Sequence, residues 1–400
     1  MPTDYDVVVV GGGPSGATAA AKLAEDGHSV AFIDRAGRIK PCGGAIPPRL
    51  VRDFAIPEKI LCAKVSSARM ISPTDRSVDM PIEDGYVGMV DREVFDEFLR
   101  KRAMTAGADR LTGTFTAFSR TAEGHPSIAY RDGNGDHTIT AKMVIGADGA
   151  RSLLARQALD GAITKSVFAY HEIIEAPEDG PNFDGQRCEV YYQGKLSPDF
   201  YAWVFPHGRT ASIGVGSAHK GFSLRNAVRS LRAARGLDDS TTRRTEGAPI
   251  PLKPLKRWDN GRDVVVVGDA AGVVAPCSGE GIYYAMASAD IAAEEVGRAL
   301  LTGSSRPLTV VRKRFLKAHG RVFMALGVLQ WFWYANDKRR ERFVTMCADK
   351  DVQQLTFDAY MNKRLVRRKK VAHLRVMMKD IAHLLRIVRP VNESNPRTSS

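Results

Sequence analysis

Gly11-Gly12-Gly13-Pro14-Ser15-Gly16 is a G-x-G-x-x-G run whose spacing suits a dinucleotide. The first glycine permits a tight turn. The second lets backbone approach a pyrophosphate, and the third allows close helix–strand packing with the helix N-terminus facing the anion. Asp34 lies eighteen residues past Gly16, where a carboxylate can take a ribose hydroxyl. Two more glycine–acid pairs, Asp148-Gly149 and Gly268-Asp269, each follow a short apolar run; Asp269 also suits the cap of its own helix. Cys42 stands between Pro41 and the pair Gly43-Gly44. Adjacent glycines there point to backbone passing close to something planar. Two readings fit Cys42: a proton donor or pocket-shaping group beside that planar partner, or a small packing residue in a turn. His171, His207 and His319 stand apart from any metal-ligand spacing, so they read as structural or solvent-exposed, and no metal is expected.

The elements that must position these residues alternate strand and helix. Asp6–Val10 (DVVVV) reads as a buried parallel strand, Ala17–Asp26 as an Ala-rich helix stopped by Gly27, and Ser29–Asp34 as the next strand. Asp91–Ala106 reads as a helix with Phe95, Phe98 and Leu99 inward, Lys142–Ile145 as a buried strand, and Asp263–Val267 as a second DVVVV strand before a helix after Gly281. Glu189–Tyr192, Tyr201–Phe205 and Ala211–Val215 alternate like antiparallel strands. The fold class expected is α/β: a discontinuous Rossmann-like dinucleotide domain over 1–60, 86–160 and 255–300, and an antiparallel-sheet substrate domain over 61–85 and 161–254. A basic helical region over 301–391 and a disordered Ser/Pro/Asn-rich tail over 392–400 complete it.

The net charge of +13 is unevenly placed. Residues 1–300 hold 36 Lys+Arg against 38 Asp+Glu, and residues 301–400 hold 22 against 7. The catalytic body is therefore near neutral, and the basic excess belongs to the last quarter. Basic clusters there flank Trp331, Phe332, Trp333 and Tyr334. That pattern suits an anionic lipid surface, or a solvated helical cap whose aromatics are core. No nucleic-acid module accompanies it. Five scattered cysteines without a CxxC pair fit a reducing cytoplasm. No secretory signal and no run long enough to span a bilayer is read. The expected location is cytoplasmic, peripherally on the inner membrane.

Ile145-Gly146-Ala147-Asp148-Gly149-Ala150-Arg151-Ser152 and Val267-Gly268-Asp269-Ala270-Ala271-Gly272 resemble the flavoprotein family of aromatic hydroxylases and geranylgeranyl reductases. Lys40-Pro41-Cys42-Gly43-Gly44-Ala45, Tyr201-Ala202-Trp203-Val204-Phe205-Pro206 and Pro276-Cys277-Ser278-Gly279-Glu280-Gly281-Ile282 are similar to the geranylgeranyl reductase branch. The wording of residues 38–50 and 88–93 resembles its chlorophyll and bacteriochlorophyll members, and the likeness covers about residues 5–390. The resemblance implies FAD, held by Gly11, Gly13, Pro14, Ser15, Gly16, Asp34, Arg35, Gly43, Gly44, Arg92, Asp148, Gly149, Gly268, Asp269, Gly281 and Ile282. In that family the Asp269 carboxylate binds the ribityl chain, Asp148-Gly149 lies near the pyrophosphate, and Arg92 contacts the nucleotide.

The activity implied is stepwise reduction of three isolated double bonds of a geranylgeranyl chain to phytyl, on the pigment or on the free diphosphate. NADPH is the implied electron donor, although no second strand–GxGxxG–helix unit is present; ferredoxin stays open. Such alkenes carry no carbonyl, so an acid must protonate one carbon while the flavin hydride goes to the other. Cys42 is the catalytic candidate, and Tyr201, Trp203 and Phe205, on one face of a strand, are assigned to the substrate chain. A flavin monooxygenase of the hydroxylase type and a non-enzymatic prenyl-binding chaperone are the competing readings.

Overall fold

The computed structural model describes residues 2–35, 40, 42–82, 85–159 and 165–363. Pro41, residues 38–39 of the quoted motif, the basic stretch 364–391 and the tail 392–400 lie outside them.

The N-terminal run folds as expected: β1 (Tyr5–Val10), α1 (Pro14–Glu25), β2 (Val30–Asp34). The helix begins three residues earlier than its alanine pattern predicts, because Pro14 sits where its missing N–H costs nothing. Gly27, at φ 85°, ends it. β3 (Ala45–Ile46), α2 (Pro48–Asp53), β4 (Ala63–Val65), β5 (Ser67–Ile71), β6 (Ser77–Pro81) and β7 (Val87–Met89) lead to α3 (Arg92–Thr105). Then come β8 (Asp109–Thr112), β9 (Thr114–Arg120), β10 (Pro126–Asp132), β11 (Gly135–Gly146) and α4 (Leu153–Ala158). β12 (Ser166–Glu175), β13 (Arg187–Tyr191), β14 (Ala202–His207), β15 (Thr210–Ser217), α5 (Leu224–Ala234) and β16 (Thr242–Pro251) follow. β17 (Val264–Val266) and the helices α6 (Ile282–Thr302), α7 (Leu308–Trp333), α8 (Asp337–Met346) and α9 (Lys350–Asn362) complete the described chain.

Two seven-stranded sheets organise these elements. In the first, β8, β2, β1, β11 and β17 run parallel, and β10 and β9 add an antiparallel edge. The strand expected at Lys142–Ile145 is only the second half of β11. Its first half, from Gly135, pairs antiparallel with β10 across a Gly133-Asn134 turn, where the Asp132 carboxylate accepts from the Asn134 N–H at 2.7 Å. Val7, Val8 and Val9 are fully buried, as a parallel strand covered on both faces requires.

The second sheet runs β16-β12-β15-β14-β13-β5-β6. It is antiparallel except where β13 pairs parallel with β5. β3, β7 and β4 form a small third sheet. α1, α3 and α6 pack over the first sheet, and α7 packs on α6. No helix of the described residues is long and apolar enough to cross a membrane.

Candidate functional site

One cavity of about 840 Å³ runs from the glycine turn after β1 to the aromatic strand β14. That size lies within the range of small-molecule and cofactor sites. Its first end is built from tight backbone. A Cβ on Gly16 would stand 1.7 Å from the Gly11 carbonyl oxygen, and one on Gly11 would stand 2.3 Å from that of Ala147. These two glycines are needed for the turn itself and do not line the cavity. Gly13 has open space where a Cβ would be, and with Pro14 and Ser15 it faces the cavity at the start of α1.

Asp34 sits at the end of β2, buried behind this turn. Its carboxylate receives Arg100 of α3 at 2.9 Å and Arg110 of β8 at 3.0 Å. Gly12 must be glycine to let it lie so close, since a Cβ there would be 2.5 Å from Asp34. Burial pushes the Asp34 carboxyl up, and the two arginines oppose that. Arg35, the next residue, is exposed. Asp148 turns its carboxylate onto the start of α4, accepting from Ser152 Oγ at 2.5 Å and the Leu153 N–H at 2.7 Å. Its neighbour Gly149, not the acid, meets the cavity. Gly268 packs against Ser15, and Asp269 faces the cavity in an ion pair with Lys40.

Gly281 caps α6, so Gly281 and Ile282 bring a second helix N-terminus to the same space. Arg92, at the start of α3, is buried and holds Asp96 through two bonds of 2.8 and 2.7 Å. Burial alone would lower the Arg92 pKa, but Asp96 and the nearby Cys42 sulfur more than offset it and hold the guanidinium charged. The Cys42 sulfur also accepts from the Gly44 N–H at 3.4 Å.

The middle of the cavity is where early and late chain meet. A Cβ on Gly43 would lie 3.1 Å from the Phe205 ring, and one on Gly44 2.5 Å from His207 Nε2. The Cys42–Gly44 backbone is therefore laid directly on the aromatic strand. Tyr201, Trp203 and Phe205 all line the cavity, with successive ring centroids 6.0 and 6.1 Å apart. Tyr201 Oη donates to the Ser278 carbonyl at 2.5 Å. Trp203 Nε1 donates to Ser212 Oγ at 3.1 Å, and His171 bridges Ser212 to Glu246, each at 2.9 Å. His171 is thus structural, as is half-buried His207, whose imidazole is pushed down to about 4 by its loss of water. His319, buried among Tyr283, Tyr284 and Phe315, is pushed down to about 4 for the same reason.

Four contributors escaped the sequence reading. Arg100 and Arg110 hold Asp34, and nothing local marks them. Glu280 and Lys363 line the cavity as a buried ion pair. Glu280 lay inside a motif already quoted, and that was the signal available.

These residues fit FAD. Two helix N-termini, an open Gly13 and Gly149, and a buried carboxylate at Asp269 meet along one elongated cavity. A flat strip of backbone at Gly43-Gly44 adjoins them. Glycine positions that a Cβ would fill are what close approach to a nucleotide requires.

Comparison with known proteins agrees. Residues 4–307 match a family model described as an FAD binding domain. The chain is 54% identical to a geranylgeranyl diphosphate reductase of Rhodobacter capsulatus, covering 96% of this chain and 99% of that one. It is 37% identical to the enzyme of the same name from Synechocystis, over 95% and 98% of the two chains. In structure it is similar to a geranylgeranyl bacteriochlorophyll reductase-like protein of Thermoplasma acidophilum, with a TM-score of 0.78, 23% identity, and coverage of 92% and 99%. That last likeness speaks to the fold alone. The sequence identity, carried across nearly the whole length, places the chain in the geranylgeranyl reductase family of FAD-binding flavoproteins.

Proposed function

We propose that this protein reduces the three isolated double bonds of a geranylgeranyl chain to give a phytyl chain, on a bacteriochlorophyll-type pigment or on the free diphosphate, with NADPH as electron donor. The observation that carries the reading is the single cavity joining a dinucleotide-shaped end to a wall of Tyr201, Trp203 and Phe205. Bound FAD supplies the hydride. Gly13, Pro14, Ser15, Gly149, Asp269, Gly281 and Ile282 would hold it, with Gly43-Gly44 against its ring. The aromatic wall holds the prenyl chain, fixes which double bond is presented, and keeps water out. Cys42, between Arg92 and the Gly44 N–H, shapes the centre of this space. Arg92 stays charged and gives the cavity a fixed cation.

The test is anaerobic incubation of the yellow protein with NADPH and geranylgeranyl-bacteriochlorophyll or geranylgeranyl diphosphate, reading product mass. Successive gains of hydrogen pairs, up to three, are expected. An oxygen-dependent hydroxylated product would sink the reading.

The location proposed is the surface of an anionic membrane, reached through α7. This helix has no acidic residue and exposes Lys313, Lys317 and Arg321, while Arg312 and Arg314 turn inward onto the Leu255 carbonyl and Glu294–Glu295. Lys317, Arg321, Met324, Val328 and Trp331 fall on one stripe at helical spacing. Met324 is 68% exposed and Trp331 75% exposed. Met324 and Val328 also line the cavity, with Leu326 beside them, so the exposed apolar stripe is continuous with the substrate space. Each cation near an anionic bilayer contributes about 1 kcal/mol. Flotation with anionic vesicles tests this. Binding that Trp331→Ser weakens is expected, and no binding at low salt ends it.

A further inference from the structure

An isolated alkene is a poor proton acceptor, so its reduction calls on the strongest acid that a dry cavity can keep protonated. The acids along this cavity differ sharply. Burial pushes the Cys277 thiol up to about 11 and the Cys347 thiol up to about 12, and raises the phenols of Tyr192, Tyr201, Tyr284 and Tyr360 well above their ordinary range. All are too weak. Two carboxylates face the cavity among the described residues. Asp269 is ion-paired with Lys40.

The other carboxylate is Glu280, 8% exposed, in the loop before α6. One of its oxygens contacts Lys363 Nζ. The other, Oε1, is buried with no hydrogen-bond partner among the described residues. A buried orphan carboxyl oxygen is costly unless something else uses it. Lys363 is 2% exposed and holds a left-handed φ of 53°, a conformation costly for a lysine. It is packed over Tyr360 of α9 and Tyr283 and Tyr284 of α6, and Arg49 of α2 acts on it as a further cation. Burial raises the Glu280 carboxyl and lowers the Lys363 ammonium. Both shifts favour the neutral pair, in which the carboxyl carries the proton.

We propose that Glu280 is the proton donor for prenyl double-bond reduction, and that Lys363 is the positioning residue that holds its carboxyl and returns its proton. The inference rests on the reductase reading above. In the step, the π bond breaks and two C–H bonds form. The Glu280 O–H proton goes to the alkene carbon that already bears hydrogen. The hydride, with its electron pair, goes from reduced flavin to the more substituted carbon, which tolerates positive charge better. The flavin is left oxidised by two electrons, and Glu280 is left as a carboxylate beside Lys363. A proton from solvent, passed through Lys363, restores the acid for the next double bond.

The test uses the holoenzyme, reduced anaerobically and mixed with geranylgeranyl diphosphate, following flavin reoxidation over one turnover. Glu280→Gln is expected to bind and reduce flavin normally but to slow reoxidation by substrate about 100-fold or more, the usual worth of a general acid. Glu280→Asp should recover part of it. The infrared spectrum gives a second readout: a protonated-carboxyl band in the wild type that Glu280→Gln lacks. Lys363→Met leaves the carboxyl in place but unheld, so it should keep the infrared band, slow first-turnover reoxidation less than Glu280→Gln does, and lower the multiple-turnover rate further. An unchanged reoxidation rate in Glu280→Gln overturns the proposal. So does the same infrared band in wild type and Glu280→Gln, or an unchanged multiple-turnover rate in Lys363→Met. A wild type that reduces no prenyl chain overturns the functional reading instead, while the infrared band still reports on Glu280.

Discussion

The two ends of the cavity solve opposite problems. At the glycine end the charges are numerous and each is held by a partner: Asp34 by Arg100 and Arg110, Asp269 by Lys40, Arg92 by Asp96. Positions there are set by backbone contacts that leave no room for a Cβ. At the end we assign to the prenyl chain the surface is aromatic and aliphatic, and the one acid–base pair there among the described residues is Glu280–Lys363. A nucleotide is polar and nearly invariant in shape, so a rigid, charge-paired cradle suits it. A prenyl chain must slide so that successive double bonds reach one point, which an apolar wall allows. The difference predicts that changes at the first end abolish or destabilise the holoenzyme, while changes at the second alter what it makes.

The largest effect should come from Gly16→Ala. Its Cβ would collide with the Gly11 carbonyl, and no flexible side chain can give way. Purified protein without flavin absorbance, or no soluble protein, is expected. A yellow Gly16→Ala enzyme would break the idea that this end is rigid.

Low pH comes next. His207 and His319 are held neutral down to about 4, whereas an unfolded histidine titrates near 6.5. Between those values the unfolded state binds more protons, so stability falls as pH drops from 6.5 to 4. The loss is roughly 3 kcal/mol for each histidine. Denaturant midpoints across that window check it, and His319→Phe should flatten the slope.

Arg100→Ala leaves Asp34 with Arg110 alone. Breaking one partner of a buried carboxylate typically costs about 3–5 kcal/mol, and the remaining arginine should hold the loss to roughly 1–3 kcal/mol. Thermal unfolding of the flavin-bound protein measures it. The smallest effect is expected from Tyr201→Phe, which removes the bond to Ser278 at about 0.5–1.5 kcal/mol. It should leave flavin content intact and shift the proportions of partly reduced products. Unchanged product ratios there would remove Tyr201 from the prenyl end.

Much of this was legible in local spacing. The G-x-G-x-x-G run, the DVVVV strands and the alternating Tyr201, Trp203 and Phe205 each declare themselves within a few residues, because a tight turn needs glycine and a strand repeats every two residues. The Asp148–Ser152 contact is readable too, at four residues' spacing, since a carboxylate just before a helix start meets its free N–H groups. Arg100, Arg110 and Lys363 were not legible. Each gains its role from a partner more than sixty residues away, and no local pattern encodes such a meeting. The first half of β11 was missed for another reason. Polar alternation in an antiparallel edge strand looks like loop until its hairpin partner is known.

The parallel arrangement of the first sheet has a consequence for biosynthesis. β11 receives β1 on one side and β17 on the other, so the strand is edge-exposed until residue 266 has left the ribosome. Lys363 comes later still. A nascent chain of 250 residues would carry the first glycine turn and the aromatic strand, yet lack Asp269 and Gly281 and expose an open edge able to pair with a neighbouring chain. Cofactor capture is therefore a late event in the making of the chain.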